Sequence, residues 1–386
     1  MPTLAVRLPR FPWDALEPYK ARALAHAGGI VDLSVGTPVD TVPVVAREAL
    51  AAASDAHGYP ATAGTRAFRQ AAAGWLARRH GVSVGPDAVL PVIGTKELIA
   101  GLPALLGCGP GDVVVYPELA YPTYDIGARM AGARPVAASG VVSLGPEPAA
   151  LWWLNSPSNP TGQVLPAEHL SKVVRWARER GTVIASDECY IELGWEDRPV
   201  SVLHPDACDG SHAGLLAVHS LSKRSNMAGY RAGFVTGDPA LVAELLEIRK
   251  HAGMIVPGPV QAAVTAALGD DAHADAQKAR YAARRDVLRP ALEAAGWAVE
   301  HSRAGLYLWA VHPERDGWES VAVLAEAGIL VAPGSFYGPS GARHIRVALT
   351  ATDERIAAAA KRLKPLFFRD FPIYQDAAVP DLPGVK

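Results

Sequence analysis

The chain has 386 residues, of which 49% are hydrophobic and 20% charged. That length predicts two or three structural units around a large core, and the composition excludes an intrinsically disordered chain. Lys and Arg number 37 against 39 Asp and Glu, so the formal net charge of −2 lacks the basic excess of a dedicated nucleic-acid binder.

Residues 1–40 read as an N-terminal arm, in which Pro2, Pro9, Pro12 and Pro18 interrupt any long helix. A helix is expected at Val44–Ser54, followed by the Gly- and Pro-containing loop HGYPATAG. Thr65–His80 reads as an amphipathic helix, because Phe68, Ala72, Trp75 and Leu76 recur on one face. From residue 89 the rhythm changes. Seven short apolar runs, at 89–94, 113–117, 135–139, 151–155, 183–186, 215–220 and 233–237, alternate with helical stretches such as Ala167–Arg180. Strands alternating with helices predict an α/β fold with a mainly parallel seven-stranded sheet covered on both faces. Ligands of such sheets bind beyond the carboxyl ends of the strands. A long helical region is expected from Pro239 to Ala295, and the segments AGLYLWAV, GILVAPGSFYG and HIRVALT read as a smaller α+β unit. The tail after Lys364, rich in Pro and aromatics, reads as either surface-packed or frayed.

Cys108, Cys189 and Cys208 form no C-x-x-C pair, so neither a metal site nor a disulfide framework is expected. With no run of ~18–20 apolar residues and no signal-like N-terminus, a cytoplasmic protein without membrane association is expected.

Chemistry concentrates just after the apolar runs. In HSLSKRSNMAGYRAG, Lys223 follows a strand and is flanked by Ser220, Ser222, Arg224 and Arg231. A solvated lysine in a Ser-rich loop is the bland alternative. A lysine beside other cations has a depressed pKa and attacks aldehydes, while two hydroxyls and an arginine hold a phosphate. Together they suggest a phosphorylated carbonyl cofactor, pyridoxal 5′-phosphate; the nucleotide-binding G-x-x-x-x-G-K-[ST] pattern is absent. In SDECY, Asp187 at a strand end can partner a pyridinium nitrogen, and Tyr190 can donate to the ring's phenolate oxygen. Alone, the same residues read as a strand end with a helix cap. In NSPSNPTGQV, Asn159 sits in a rigid turn, where it can present its amide to the phenolate oxygen or to a substrate carboxylate. The spacings of 28 residues (Asn159 to Asp187), 36 (Asp187 to Lys223) and 8 (Lys223 to Arg231) bind the three signals into one ordered set.

With N-P-T-G at 159–162, D-E-x-Y at 187–190, S-x-S-K at 220–223 and R-A-G at 231–233, the chain resembles the fold-type-I, pyridoxal-phosphate-dependent aminotransferases of class I/II over nearly its whole length. Segments such as VDLSVGTPVD, VLPVIGTKELIA and RKHAGMIVPGPVQAA are similar to the N-succinyldiaminopimelate aminotransferases of actinobacterial type. The resemblance implies a large cofactor-binding domain at 41–270, a small C-terminal domain at 271–386, and an arm that also contributes to the small domain. It implies that Lys223 bonds the cofactor aldehyde and shuttles a proton, and that Asp187 pairs with the pyridine nitrogen. Tyr190 and Asn159 would contact the phenolate oxygen, and Tyr121 would stack on the ring. Ser220, Ser222, Arg231 and the backbone amides of Thr95 and Lys96 would hold the phosphate, the last two at a helix N-terminus that attracts anions.

Tyr59 would reach the phosphate of a neighbouring subunit, which implies a homodimer. Arg346 would bind the substrate α-carboxylate and the backbone of Gly36 would approach it; a surface strand arginine is the plain alternative for Arg346. The implied reaction moves an amino group between L-glutamate, with 2-oxoglutarate as its keto form, and N-succinyl-2-amino-6-oxopimelate, in lysine and diaminopimelate synthesis. An aminotransferase of aspartate or aromatic specificity, or a C–S lyase on the same fold, is the alternative. Of the remaining residues, His219 reads as filling under the sheet, Tyr124 as packing beside Tyr121, and Trp152 and Trp153 as core. Cys189 reads as a small buried filler, and Lys96 as either a helix-surface lysine or a second cation.

Overall fold

The structure is a computed structural model that describes residues 4–364. The tail after Lys364 lies outside the described residues. The arm carries a two-residue strand, β1 (Val31–Asp32). The seven apolar runs become seven strands: β2 (Val89–Val92), β3 (Val113–Tyr116), β4 (Arg134–Ala137), β5 (Leu151–Asn155), β6 (Val183–Asp187), β7 (Leu215–Ser220) and β8 (Gly233–Gly237). They form one sheet in the order β2-β8-β7-β6-β5-β3-β4. The pairs from β7 through β4 are parallel, and β8 runs antiparallel to both β7 and β2.

The central strands are apolar on both sides, and alternation sends successive residues to opposite faces. Trp152, Ile184, Ala217 and Phe234 enter a core with Phe68, Trp75, Leu170 and Trp176 of the helices Arg66–His80 and Ala167–Arg180. Their neighbours Trp153, Ala185, Leu216 and Val235 enter a second core with Leu98, Leu102, Tyr124 and Val242, from the helices Thr95–Leu105, Thr123–Ala131 and Pro239–Ala252. At ~25 cal/mol per Å² of buried apolar surface, these two layers supply the main driving force for the large unit. The helix Arg66–His80 starts where the Thr65 hydroxyl accepts the Phe68 N–H at 3.1 Å and stops at Gly81, whose φ of 66° is left-handed.

The expected long helix from Pro239 to Ala295 is instead three: Pro239–Ala252, Gly258–Gly269 and Asp271–Ala294. Gly253 at φ 68° ends the first, Pro257 precedes the second, and the Asp270 carboxylate caps the third by accepting from Ala272 N–H at 3.0 Å. The apolar periodicity runs through these breaks, which local cap chemistry decides.

The remaining strands are β9 (Ala298–Glu300), β10 (Tyr307–Val311), β11 (Ile329–Leu330), β12 (Ala332–Pro333) and β13 (His344–Ala348). Four of these form an antiparallel sheet, β12-β13-β10-β9, and β11 pairs in parallel with β1 of the arm. Leu16, Val31 and Leu33 of the arm share a core with Tyr281, Leu308, Val347 and Ile356, so the arm and the C-terminal segments pack as one layer.

Candidate active site

The register of the large sheet places Asn155 beside Asp187 and Asp187 beside Val218, so three carboxyl ends of parallel strands finish side by side. Just beyond them lies a cleft of about 420 Å³. Every site residue expected from the sequence except Tyr59 lines it: Gly36, Thr95, Lys96, Tyr121, Asn159, Asp187, Tyr190, Ser220, Ser222, Lys223, Arg231 and Arg346. Tyr59 is fully exposed and sits apart from the cleft in this single chain.

Lys223 stands on the short helix Leu221–Arg224 that follows β7. Its amine donates to the carbonyl of Gly36. Burial lowers this amine below the usual lysine range; Tyr307 and Cys189 oppose the shift, and Arg346 and Arg231 add to it. Asp187 closes β6 and is buried. Its Oδ2 accepts the Tyr124 hydroxyl at 2.8 Å and its Oδ1 the backbone N–H of Cys189 at 3.1 Å. Burial raises this carboxyl above the ordinary range against those hydrogen bonds, so the site favours a cationic partner facing it.

At one end of the cleft the helix Thr95–Leu105 points its N-terminus inward. Gly94 precedes it at φ 74°, and a Cβ there would collide with the Arg231 guanidinium. Ser220 accepts the Ser222 N–H at 3.1 Å, so both hydroxyls are held near that end. Free helix N–H groups, two hydroxyls and an arginine are a donor set that can hold a phosphate. Lys96 lies exposed at the rim, its Nζ 5.6 Å and 5.8 Å from the ring centroids of Phe11 and Tyr121.

At the opposite end Arg346, on β13, is buried. Its Nη1 donates to Asn159 Oδ1 at 2.8 Å and its Nη2 to the Ser34 carbonyl at 2.7 Å. Its guanidinium carbon lies 3.8 Å from the ring centroid of Tyr307 and 4.8 Å from that of Tyr337. Two of five N–H groups are used, and the fork retains donors for a carboxylate. Asn159 accepts through Oδ1, so its own amide donor remains for a ligand. Tyr190 meets Tyr307, hydroxyl to hydroxyl, at 3.1 Å. Burial acts to raise the Tyr307 phenol, yet the neighbouring Arg346 and Lys223 charges outweigh it and pull the phenol below its usual range.

Sequence reasoning missed several contributors. Tyr307 looks like one more core residue of an apolar strand, yet a Cβ on Gly36 would collide with its hydroxyl, so the closest approach of arm and strand depends on that glycine. Tyr124 does pack edge-on to Tyr121, with ring centroids 5.9 Å apart, but it also anchors Asp187. Cys189, read as filler, lines the cleft with Sγ 3.5 Å from Thr95 Oγ1. Phe11 and Trp13 of the arm form part of the wall. The Tyr124 contact sets an expectation: Tyr124→Phe strips a buried carboxylate of one donor and lowers apoenzyme stability by about 1–3 kcal/mol in urea unfolding. An unchanged midpoint would remove Tyr124 from the support of Asp187.

Comparison with known proteins leads to the same chemistry. The family model for aminotransferase class I and II matches residues 29–363. A 4-dedimethylamino-4-oxo-anhydrotetracycline transaminase of Streptomyces rimosus is 62% identical over 92% of this chain and 99% of its own. A probable aminotransferase of Mycobacterium tuberculosis is 64% identical over 93% of this chain and 86% of its own. The solved structure of a probable N-succinyldiaminopimelate aminotransferase from Thermus thermophilus superposes with a TM-score of 0.84 at 29% identity, covering 92% of this chain and 100% of that one. The fold is that of the fold-type-I enzymes, and the family depends on pyridoxal 5′-phosphate. An amine, a buried carboxylate, a phosphate cradle and a carboxylate-binding fork in one cleft suit that cofactor with an amino acid. The chain belongs to the class I and II aminotransferase family.

Proposed function

We propose that this aminotransferase moves an amino group between L-glutamate and a keto acid, with N-succinyl-2-amino-6-oxopimelate as the acceptor that serves lysine and diaminopimelate synthesis in the cytoplasm. The observation that carries the site assignment is that Lys223, Asp187, Arg231 and Arg346, scattered over 160 residues of sequence, line one cleft. The acceptor rests on the likeness to the Thermus thermophilus structure and on the sequence segments named above.

Bound in the cleft, pyridoxal phosphate supplies an aldehyde and an electron-accepting ring. Ser220, Ser222, Arg231 and the first N–H groups of the helix Thr95–Leu105 hold its phosphate. Asp187 would pair with the ring nitrogen as an anion, with Tyr124 and the Cys189 N–H fixing its orientation. Tyr190 and Asn159 offer donors to the phenolate oxygen, and Tyr121 covers the ring. Arg346 receives the substrate α-carboxylate on its open N–H groups, beside the backbone of Gly36. Lys223 would hold the cofactor aldehyde and would serve as the base toward the substrate α-proton, a role that the lowering of its pKa by burial favours. Tyr59 reaches across to a second copy, which makes the working unit a homodimer; sedimentation as a monomer at assay concentrations would remove that part.

A second reading has one observation in its favour. Phe11, Trp13 and Tyr121 form an aromatic wall of the cleft, suited to a bulky cyclic keto acceptor such as that named for the Streptomyces rimosus relative. Single-turnover half-reactions separate the two. The pyridoxal form is mixed with N-succinyl-LL-diaminopimelate, LL-diaminopimelate, glutamate or an aromatic amino acid, and loss of its visible band is followed. Fastest bleaching by glutamate and the succinylated amine supports the primary reading. Inertness of the succinylated amine removes it, and bleaching only by aromatic amines favours the second.

A further inference from the structure

Alternation along β6 and β7 produces a pattern beneath the active site. Asp187 and Ser220 face the cleft, and each has a titratable chain neighbour on the opposite face, Glu188 beside Asp187 and His219 beside Ser220. Both neighbours are almost completely buried, at 1% and 2% exposure. The Glu188 backbone N–H donates to the Val218 carbonyl at 2.9 Å, so the parallel register brings the two side chains together. Glu188 Oε2 lies 3.7 Å from His219 Nε2, and among the described residues neither atom has a hydrogen-bond partner, nor has His219 Nδ1. Glu188 Oε1 accepts the Val202 N–H at 2.7 Å. The His219 ring is pinned between Trp75 and Phe234, at centroid distances of 5.2 Å and 5.0 Å. A cavity of about 10 Å³ adjoins the pair, room for about one water that could complete the contact.

We propose that Glu188 is held as a neutral acid whose proton is directed toward the His219 ring through one bridging water, and that this pair keeps Asp187 the sole anion at the end of β6. Two buried carboxylates on adjacent residues would repel, and an ionised Glu188 would push Asp187 towards protonation, weakening its hold on a ring nitrogen. Keeping the proton on Glu188, directed toward the neutral His219 ring as acceptor, removes that repulsion without removing the acid. Glu188 is thus a positioning residue acting through Asp187, and this link rests on the role proposed for Asp187 above.

The other groups facing the pair fit a neutral acid. From the helix Arg66–His80, Trp75 borders the cavity and His80 lies behind it, ring centroids 4.6 Å apart, and burial drops the His80 imidazole to about 4, so it stays neutral. Glu192 and Arg224 also line the cavity but are ion-paired to each other, and Arg79 adds a second cation to Glu192 at 3.1 Å. The hydroxyls of Ser186 and Ser201 are the remaining polar neighbours of Glu188. Burial pushes the Glu188 carboxyl up to about 7, with Val202, Ser201 and Ser186 opposing and the Asp187 charge adding. Burial likewise keeps His219 well below the usual imidazole range.

An acid whose pKa is raised on folding binds a proton that the unfolded chain has lost. It therefore costs stability progressively as pH rises from its ordinary value of 4.5 to about 7, and the cost persists above that. Melting of the apoenzyme tests this without any cofactor. Between about pH 5 and about pH 8, Glu188→Gln should lose less melting temperature than the parent; parallel losses overturn the neutral acid. His219→Phe, a second route should the first variant fail to accumulate, deprives the acid form of its acceptor and should move the stability window about half a pH unit lower; an unmoved window likewise overturns it.

In the loaded enzyme, the glutamate half-reaction of the parent should show an inflection near neutrality that Glu188→Gln lacks, and an inflection retained in the variant overturns the link to Asp187. Asp187→Asn is run beside it. If that variant half-reacts like the parent, the assignment of Asp187 itself falls and the link with it, while apoenzyme melting still decides whether Glu188 is neutral.

Discussion

Replacing Lys223 with alanine should cut multiple-turnover transamination by at least about 10³-fold while leaving the fold and the cleft intact. The reason lies in the census of amines near Asp187. Among the described residues, Lys223 and Lys96 are the lysines that line the cleft, and Lys96 sits exposed at the rim against Phe11 and Tyr121. Lys223 alone combines burial, a depressed pKa and a fixed direction, set by its bond to the Gly36 carbonyl. Its removal deletes one flexible side chain and one donor to the Gly36 carbonyl, so the apoenzyme should melt within a few degrees of the parent. The check is steady-state turnover alongside a single-turnover half-reaction. Small primary amines added in solution should restore part of the lost rate, because they replace the base without replacing the backbone. A variant that turns over at the parental rate would show that another group moves the proton.

The depressed pKa carries a pH corollary. Folding costs this amine some of its proton affinity, so the parent should capture aldehydes at a pH below that needed by an ordinary lysine.

The architecture and most of this site were legible in the sequence for a reason rooted in sheet geometry. Strands buried on both faces read as continuous apolar runs, so all seven can be picked out, the antiparallel β8 included. Their carboxyl ends lie side by side, so residues immediately after the runs at 151–155, 183–186 and 215–220 converge although 64 positions separate Asn159 from Lys223. What escaped is what three-dimensional packing alone assembles. Tyr307 belongs to an apolar strand, YLWAV, and nothing in that pattern marks its hydroxyl for the cleft; it arrives there because β10 pairs antiparallel with β13, which carries Arg346. Phe11 and Trp13 come from a Pro-broken arm whose path over the cleft no local rule encodes. His219 was legible as filling under the sheet, whereas Glu188, the chain neighbour of a conspicuous site residue, and its approach to His219 emerge only from the strand register. The helix breaks at Gly253 and Asp270 fall inside an apolar pattern strong enough to mask them.

Arg346→Lys should raise KM for glutamate by about 10–100-fold with kcat within about tenfold of the parent. The charge survives this change, so an arginine acting only as a distant cation would tolerate it. The structure assigns the guanidinium more specific work. Its planar fork binds Asn159 Oδ1 and the Ser34 carbonyl at once, and its face lies over Tyr307. An ammonium group has neither the fork nor the stacking face, so it would leave one of those buried acceptors unpaired and could meet a carboxylate through a single contact.

Because Asn159 is held through the same Oδ1, its amide should also lose orientation, and that secondary effect is the expected source of the smaller loss in kcat. The measurement is a pair of half-reactions, one with glutamate and one with a primary amine that lacks the α-carboxylate. If the carboxylate is the ligand of Arg346, the penalty appears with glutamate and shrinks towards unity with the decarboxylated amine. An equal penalty for both would mean that Arg346 supports the cleft walls rather than the substrate.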